Sequence, residues 1–95
     1  SGDVVAFLDL IENLGIQAQA KAEVTLIDIP KDGSGLLIEV KSEGLFASVY
    51  KFLSLLENAP YELEIVSMEM NHAGEVETGG GRWDATFRIK LVSFI

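Results

Sequence analysis

The sequence has no cysteine, one histidine and few basic residues, and each shortage excludes a class of chemistry. Without cysteine there are no disulfides, no thiolate nucleophiles and no cysteine-ligated metals. Seven basic residues are spread along the chain against fifteen acidic ones, which gives a formal net charge of −8. Such a surface repels nucleic-acid phosphates and anionic lipid head groups, so we expect no nucleic-acid partner.

Long apolar runs are also missing. No stretch approaches the roughly 18 to 20 apolar residues that cross a bilayer, and the start does not have the charged-then-apolar pattern of a signal peptide. Because the chain begins with Ser1-Gly2 instead of methionine, we expect it to be a fragment of a longer protein. Its 95 residues are 48% hydrophobic, which suffices for one core, so we expect a single domain over residues 1–95.

The first half of the chain has the pattern helix, strand, strand. In residues 3–14 the apolar side chains lie three and four apart, which predicts an amphipathic helix that Gly15 would end. Residues 20–29 are rich in β-branched side chains, and residues 36–42 alternate cleanly between apolar and polar, so both are predicted strands. The run 30–35 concentrates turn formers between them and predicts a hairpin.

The second half repeats this order. The stretch "EGLFASVYKFLSLLENAP", residues 43–60, predicts a helix that ends near Asn58, for which we expect the left-handed conformation. A strand follows over residues 61–70, and its alternation changes face near Ile65, as a β-bulge would require. A polar, glycine-rich loop is predicted over residues 72–82, before a long final strand. The predicted buried stripe of the helix comprises Leu45, Val49, Phe52, Leu53 and Leu56.

Two consecutive αββ units therefore cover roughly residues 3–42 and 43–95. Four strands with apolar faces and two helices with one apolar stripe each can bury one another in two layers. We predict an α+β two-layer sandwich, with a four-stranded, mostly antiparallel sheet and both helices on one face. This is a duplicated αββ arrangement, or a ferredoxin-like fold with its chain order permuted.

The search for catalytic or ligand-binding chemistry gives little. His72 has Glu69, Glu75 and Glu77 nearby in sequence, but no second histidine fixes a metal geometry. The glycines of residues 79–81 lead into a strand, whereas phosphate-binding loops lead into a helix N-terminus. We therefore expect no catalytic residue, no cofactor and no metal.

An interaction surface is the better-supported expectation. A sheet covered by helices on one side has a second face, and the apolar side chains late in the chain cannot all enter one layer. Exposed apolar surface on a small protein usually contacts a partner. The residues expected to contribute to this interface are Met68, Met70, Trp83 and Phe94.

The helical stretch also resembles a known family. A strand, then Gly44, Phe46, Val49, Phe52, Leu53 and Leu56 at helical spacing, then Pro60 and an alternating strand, is similar to the periplasmic domain of PilO-type proteins. These are inner-membrane scaffold proteins of type IV pilus machines, and the M component of type II secretion systems is similar in fold. The resemblance covers about residues 36–70, and "FLDLIENLGI" is similar to the short helix before the family's first strand.

The resemblance implies a function. It implies a non-enzymatic, periplasmic domain of an inner-membrane protein that forms homodimers, or heterodimers with a PilN-like protein. It also implies membrane attachment through a segment absent from this chain. For Gly44 we expect a conformational role, because a residue without Cβ would let the chain turn from strand into helix.

Two other functions stay open on the sequence. A ligand-sensing domain of ACT type has a similar sandwich and binds an amino acid at a domain interface, although its glycine-bearing loop joins a strand to a helix. Here the glycine-rich loops join strands. A small enzyme that uses acidic residues of the loop at 72–82 is the other alternative.

Overall fold

The computed structural model describes residues 2–32, 35–72 and 81–93, which form an α+β structure with one four-stranded sheet. The order along the chain is helix, strand, strand, helix, strand, strand, as the sequence predicts. The elements are α1 (Gly2–Ala18), β1 (Lys21–Asp28), β2 (Leu36–Leu45), α2 (Phe46–Glu57), β3 (Glu62–His72) and β4 (Arg82–Ser93).

The sheet order is β1-β2-β4-β3, and every neighbouring pair is antiparallel. Both αββ units therefore contribute a hairpin, and the last strand of each hairpin lies in the centre. Consequently β2 and β4 are paired on both sides, whereas β1 and β3 are the edges. The predicted fold class is confirmed in helix count, strand count and antiparallel pairing.

Both helices pack on one face of the sheet. Phe7, Ile11 and Leu14 of α1 and Val49, Phe52 and Leu56 of α2 are buried against alternate residues of the central strands. The sheet side of this core contains Leu36, Ile38, Val40, Ala85, Phe87, Ile89 and Leu91. Removing these side chains from water stabilises the fold by roughly 1.5 to 3 kcal/mol for each large one.

Helix α1 continues past Gly15, contrary to the sequence-based expectation, and ends at Ala18. Gln19 follows with φ +58°, and the amide N–H groups of Gln19 and Ala20 donate to the carbonyls of Ile16 and Gly15 at 3.1 and 3.0 Å. This is a Schellman-type end with glutamine in the left-handed position.

Gly15 has a packing role instead of a stop role. A Cβ placed on it would lie 2.9 Å from the carbonyl oxygen of Ala20 and 2.9 Å from the Cβ of Ala22. The missing side chain therefore lets the last turn of α1 approach the start of β1.

The expected role of Gly44 at a turn is not what the structure shows. Gly44 lies inside β2, paired with Trp83, and it is not among the described residues with positive φ. The strand continues to Leu45, and α2 begins at Phe46, three residues later than predicted. Leu45 is consequently 54% exposed and does not belong to the buried stripe of α2.

Asn58 also differs from the prediction. Its φ is −99°, outside the left-handed region. The side-chain Nδ2 of Asn58 donates to the carbonyl of Ser54 at 2.8 Å, and its backbone N–H donates to the same oxygen at 3.2 Å. The asparagine side chain thus supplies a hydrogen bond to a carbonyl at the helix end, so a left-handed residue is not required there.

The predicted β-bulge in β3 is confirmed. Its register against β4 shifts between Ile65 and Ser67, so Val66 is the extra residue. Ile65 lies opposite Ile89, and Met68 lies opposite Phe87, both on the helix side of the sheet. One inserted residue therefore keeps both apolar segments of β3 on the same face.

Candidate protein-interaction surface

The open face of the sheet, which points away from the helices, is covered by opposed charges. Four basic residues of the strands each lie directly across from a carboxylate in the register. These pairs are Lys21 with Glu43, Lys41 with Glu23, Arg88 with Glu39, and Lys90 with Glu64. Cross-strand pairs of opposite charge stabilise a sheet modestly while keeping its surface hydrated. This face is therefore a poor apolar interface.

Two of the contacts on this side are ion pairs. Arg88 Nε lies 3.3 Å from Glu39 Oε2, and Arg82 bonds Glu43. Glu39 also accepts a hydrogen bond from the hydroxyl of Thr25 at 2.9 Å. Because the arginine of each pair is about half exposed to solvent, each pair contributes little stability, of the order of 0 to 1 kcal/mol.

A depression of about 350 Å³ lies on the open face. Among the charged and polar side chains around it are Lys21, Glu23, Lys41, Glu43, Asn71, Asp84 and Thr86. Bases and acids alternate there, so no single charge of ligand is favoured. In the described ranges no three histidine, aspartate or glutamate side chains form a group that could hold a metal.

Both edge strands are irregular. In β1 the register shifts between Val24 and Leu26, and in β3 it shifts at two places, between Glu62 and Leu63 and between Ile65 and Ser67. A bulge interrupts the regular row of N–H and C=O groups that a further strand would pair with. The edges are therefore not simple templates for strand addition.

Helix α2 has an exposed apolar flank. The C-terminal end of α1 and the following Gln19 border Ala47, Ser48 and Lys51, so α1 packs along one side of α2. On the other side, Phe46, Tyr50 and Leu53 follow at helical spacing. Phe46 is 50% exposed, Tyr50 is 63% exposed, and their rings stack with centroids 6.4 Å apart.

Strand β3 continues this apolar surface. Met68 and Met70 lie across from Phe87 and Ala85, whose side chains are in the core, so both methionines are on the helix side. Met68 is nevertheless 50% exposed, because the helices lie over the other strands. Trp83 connects the helix part of this surface to the strand part. The centroids of its ring and the ring of Phe46 lie 5.6 Å apart.

We call this surface the α2–β3 strip and define it by Phe46, Tyr50, Leu53, Met68, Met70 and Trp83. Three of the four residues expected at an interface, Met68, Met70 and Trp83, come together here. The fourth, Phe94, and most of the predicted loop at 72–82 lie outside the described residues.

The strip is on the helix side of the sheet, whereas the sequence argument placed an apolar surface on the second face. Periodicity could not show this, because it does not tell which strand the helices leave uncovered. Of the motif residues, Val49, Phe52 and Leu56 are fully buried, Leu53 is half-buried, and Pro60 is exposed between α2 and β3. The sequence argument did not include Phe46 in an interaction surface, although its spacing of four from Tyr50 was a usable signal.

Neither described helix, α1 or α2, has the length and apolar character needed to cross a membrane.

Comparison with known proteins finds similarity at the level of the fold. No family model and no curated protein matches the chain. Among solved structures, the crystal structure of the type 4 fimbrial biogenesis protein PilO from Pseudomonas aeruginosa is similar to it, with a TM-score of 0.70. The match covers 94% of this chain and 67% of that one, at 13% sequence identity. The chain therefore has a PilO-like fold.

Proposed function

We propose that this chain is a non-enzymatic interaction domain of a type IV pilus inner-membrane assembly scaffold, and that it acts outside the cytoplasm by binding another protein domain. The observation that carries the proposal is the PilO-like fold over nearly the whole chain. The similar protein is a fimbrial biogenesis protein by its name. Its identity to this chain is low, so the function rests on fold and surface together.

The surface supports a binding role. The α2–β3 strip exposes aromatic and methionine side chains, which are enriched where proteins contact one another. The open face of the sheet, by contrast, carries four cross-strand pairs of opposite charge. The open depression on that charged face gives the ACT-type alternative no support, because its mixed lining selects no ligand.

Pair formation is the first test. The chain is expressed alone and together with the corresponding domain of a PilN-like protein from its own organism, and molar mass is measured by light scattering during size-exclusion chromatography. We expect a homodimer or a one-to-one complex. A monomer in both preparations at high micromolar concentration would contradict a dimerisation role.

Pilus assembly is the second test. Deletion of the gene should abolish surface pili, counted by electron microscopy, and the intact gene should restore them. A deletion strain with normal pili would refute the assignment to pilus assembly, whatever the chain binds in vitro.

A further inference from the structure

We propose that Met68 is a site of reversible oxidation, at which a hydroperoxide changes the α2–β3 strip from an apolar to a polar surface while the fold persists. This inference deepens the proposed function and rests on it, because it names a regulation of the surface that we assign to protein binding. It follows from where the sulfur atoms of the chain lie, from the difference in burial between them and from the chemistry of the thioether.

All the sulfur of the chain lies in the strip. The sequence has no cysteine and only two methionines, Met68 and Met70. Both belong to the second half of β3, and both are on the helix side of the sheet, across from Phe87 and Ala85. Thiols and thioethers are the protein groups that peroxides oxidise under mild conditions. A mild oxidant of this kind therefore acts on the strip before it acts on the rest of the chain.

The two methionines differ in burial. Met68 is 50% exposed, whereas Met70 is half-buried and packs against the hydrophobic core. A peroxide molecule reaches an exposed side chain directly, but it reaches a packed one mainly when the structure opens locally. We therefore expect Met68 to be oxidised first.

The bulge in β3 places Met68 in the strip. Val66 is the extra residue between Ile65 and Ser67 in the register, so Ile65 and Met68 lie on the same face. Without the inserted residue, every later side chain of β3 would change face. Both sulfur atoms would then be on the charged open face, and their oxidation would leave the strip unchanged.

Oxidation changes the polarity of Met68 through a balanced two-electron step. A lone pair of the thioether sulfur attacks the terminal oxygen of the hydroperoxide, an S–O bond forms, and the O–O bond breaks. The other oxygen leaves with the electron pair of that bond and takes up the proton, so the peroxide is reduced to water or an alcohol. The product is a methionine sulfoxide, which is polar and chiral. Because Met68 is half-exposed, the new oxygen stays hydrated, and the core does not have to bury a polar group.

The sulfoxide opposes burial of the strip by another protein. A partner that covered Met68 would remove the new oxygen from water, which costs free energy unless the partner supplies a hydrogen-bond donor. Methionine sulfoxide reductases return the sulfoxide to the thioether, so the change is reversible.

The first measurement locates the oxidation. The whole 95-residue chain is treated with dilute hydrogen peroxide, and tandem mass spectrometry follows the two methionines separately. We expect Met68 to react about fivefold faster than Met70, or more, and the two rates to become equal in concentrated urea, where both side chains are exposed. The circular dichroism should be unchanged when one oxygen has been added per chain. Equal rates in the folded chain, faster reaction at Met70, or loss of the folded spectrum at this stage would overturn the inference.

Matched variants separate the two sulfur atoms. Met68→Leu and Met70→Leu each keep an apolar side chain of similar volume, which cores and surfaces tolerate well, and each leaves one oxidisable position. After the same brief treatment, we expect wild type and Met70→Leu to lose retention in hydrophobic-interaction chromatography and Met68→Leu to keep it. The two methionine sulfoxide reductases, one for each epimer, should restore the retention. An equal loss in Met68→Leu, or no recovery with the reductases, would refute a reversible site at Met68.

The consequence for assembly is measured on the species that light scattering detects, the homodimer or the complex with the PilN-like domain. We expect oxidation of Met68 to weaken this association about tenfold, and the same treatment of Met68→Leu to leave it unchanged. If the oxidised wild type associates as tightly as the untreated protein, the inference fails while the proposed function stands. If the untreated chain associates with nothing, the proposed function fails, and the regulation of binding fails with it.

Discussion

The indole of Trp83 meets the phenyl ring of Phe46 edge-on, with centroids 5.6 Å apart and planes inclined by 71°. Trp83 also stands edge-on to the imidazole of His72, at 5.0 Å. One side chain of β4 thus contacts the first residue of α2 and the last residue of β3. The aromatic end of the α2–β3 strip is therefore attached to three elements.

Removing the ring of Phe46 should loosen this arrangement. Edge-to-face aromatic pairs are worth about 0.5 to 1.5 kcal/mol beyond the area that they bury. We expect Phe46→Ala to lower the free energy of unfolding by about 1 kcal/mol and to shift the emission of Trp83 to longer wavelength. Tyr50→Ala is the control, because Tyr50 is more exposed and stacks on Phe46 at a longer distance. An unchanged Trp83 spectrum in Phe46→Ala would show that the rings are not in contact.

Phe52 should be among the most costly positions. It is fully buried and packs against Phe87 between α2 and the sheet. We expect Phe52→Ala to cost about 3 to 5 kcal/mol, a large part of the 5 to 15 kcal/mol typical of folded domains, and to reduce folding and partner binding together. Phe52→Leu should retain most of the stability. A Phe52→Ala protein with the melting temperature of wild type would refute the packing.

Two glycines should respond differently to alanine. At Gly15 the added Cβ would lie 2.9 Å from the Ala20 carbonyl oxygen, whereas at Gly44 its nearest neighbours are 3.6 Å away. We expect Gly15→Ala to destabilise by about 1 to 3 kcal/mol through overpacking. Gly44→Ala should be neutral or stabilising by up to about 1 kcal/mol, because it restricts the unfolded chain. Chemical denaturation of both variants measures these changes in stability. Strong destabilisation by Gly44→Ala would show that this glycine has a conformational role after all.

Gln19 is in a conformation that suits glycine. Its φ of +58° is unfavourable for a residue with a Cβ, and the side chain is exposed. We expect Gln19→Gly to raise the free energy of unfolding by about 0.5 to 1 kcal/mol, since the left-handed region costs other residues about 1 to 2 kcal/mol. Gln17→Gly, two residues earlier within α1, should lower it by about 0.5 to 1 kcal/mol. Thermal unfolding that moves both variants in the same direction would contradict the Schellman-type end.

Ser42 has a hydroxyl group that is buried among apolar side chains. The residue is 2% exposed, and its Oγ has no hydrogen-bond partner among the described residues. Leaving a polar group buried and unpaired costs about 1 to 3 kcal/mol. Ser42→Ala should therefore be neutral or stabilising by about 1 kcal/mol in urea unfolding. Destabilisation by more than about 1 kcal/mol would show that the hydroxyl is bonded.

Much of the fold was readable from the sequence because periodicity is a local property. The strict alternation in β2 and β4 and the helical spacing in α1 and α2 identified those elements and most of their buried residues. The change of face near Ile65 also identified the bulge in β3, since an inserted residue shifts every later side chain by one position.

The ends of the helices and strands depended on tertiary contacts, which the local sequence pattern does not show. Gly15 reads as a helix stop, but its close approach to Ala20 and Ala22 is possible only once α1 packs on β1. Gly44 reads as a turn, but pairing with Trp83 extends β2 through it. In both cases a tertiary contact outweighed a weak local preference.

The sequence by itself determined the element types, the two αββ units, the absence of thiol chemistry and the acidic character of the chain. Only the tertiary structure decided that β3 is an edge strand which the helices leave uncovered, so that Met68 is half-exposed although it points to the core side. The physical reason is that periodicity fixes which face of a strand is apolar. Which apolar faces meet depends on strand order and helix placement, and these arise from packing between distant parts of the chain.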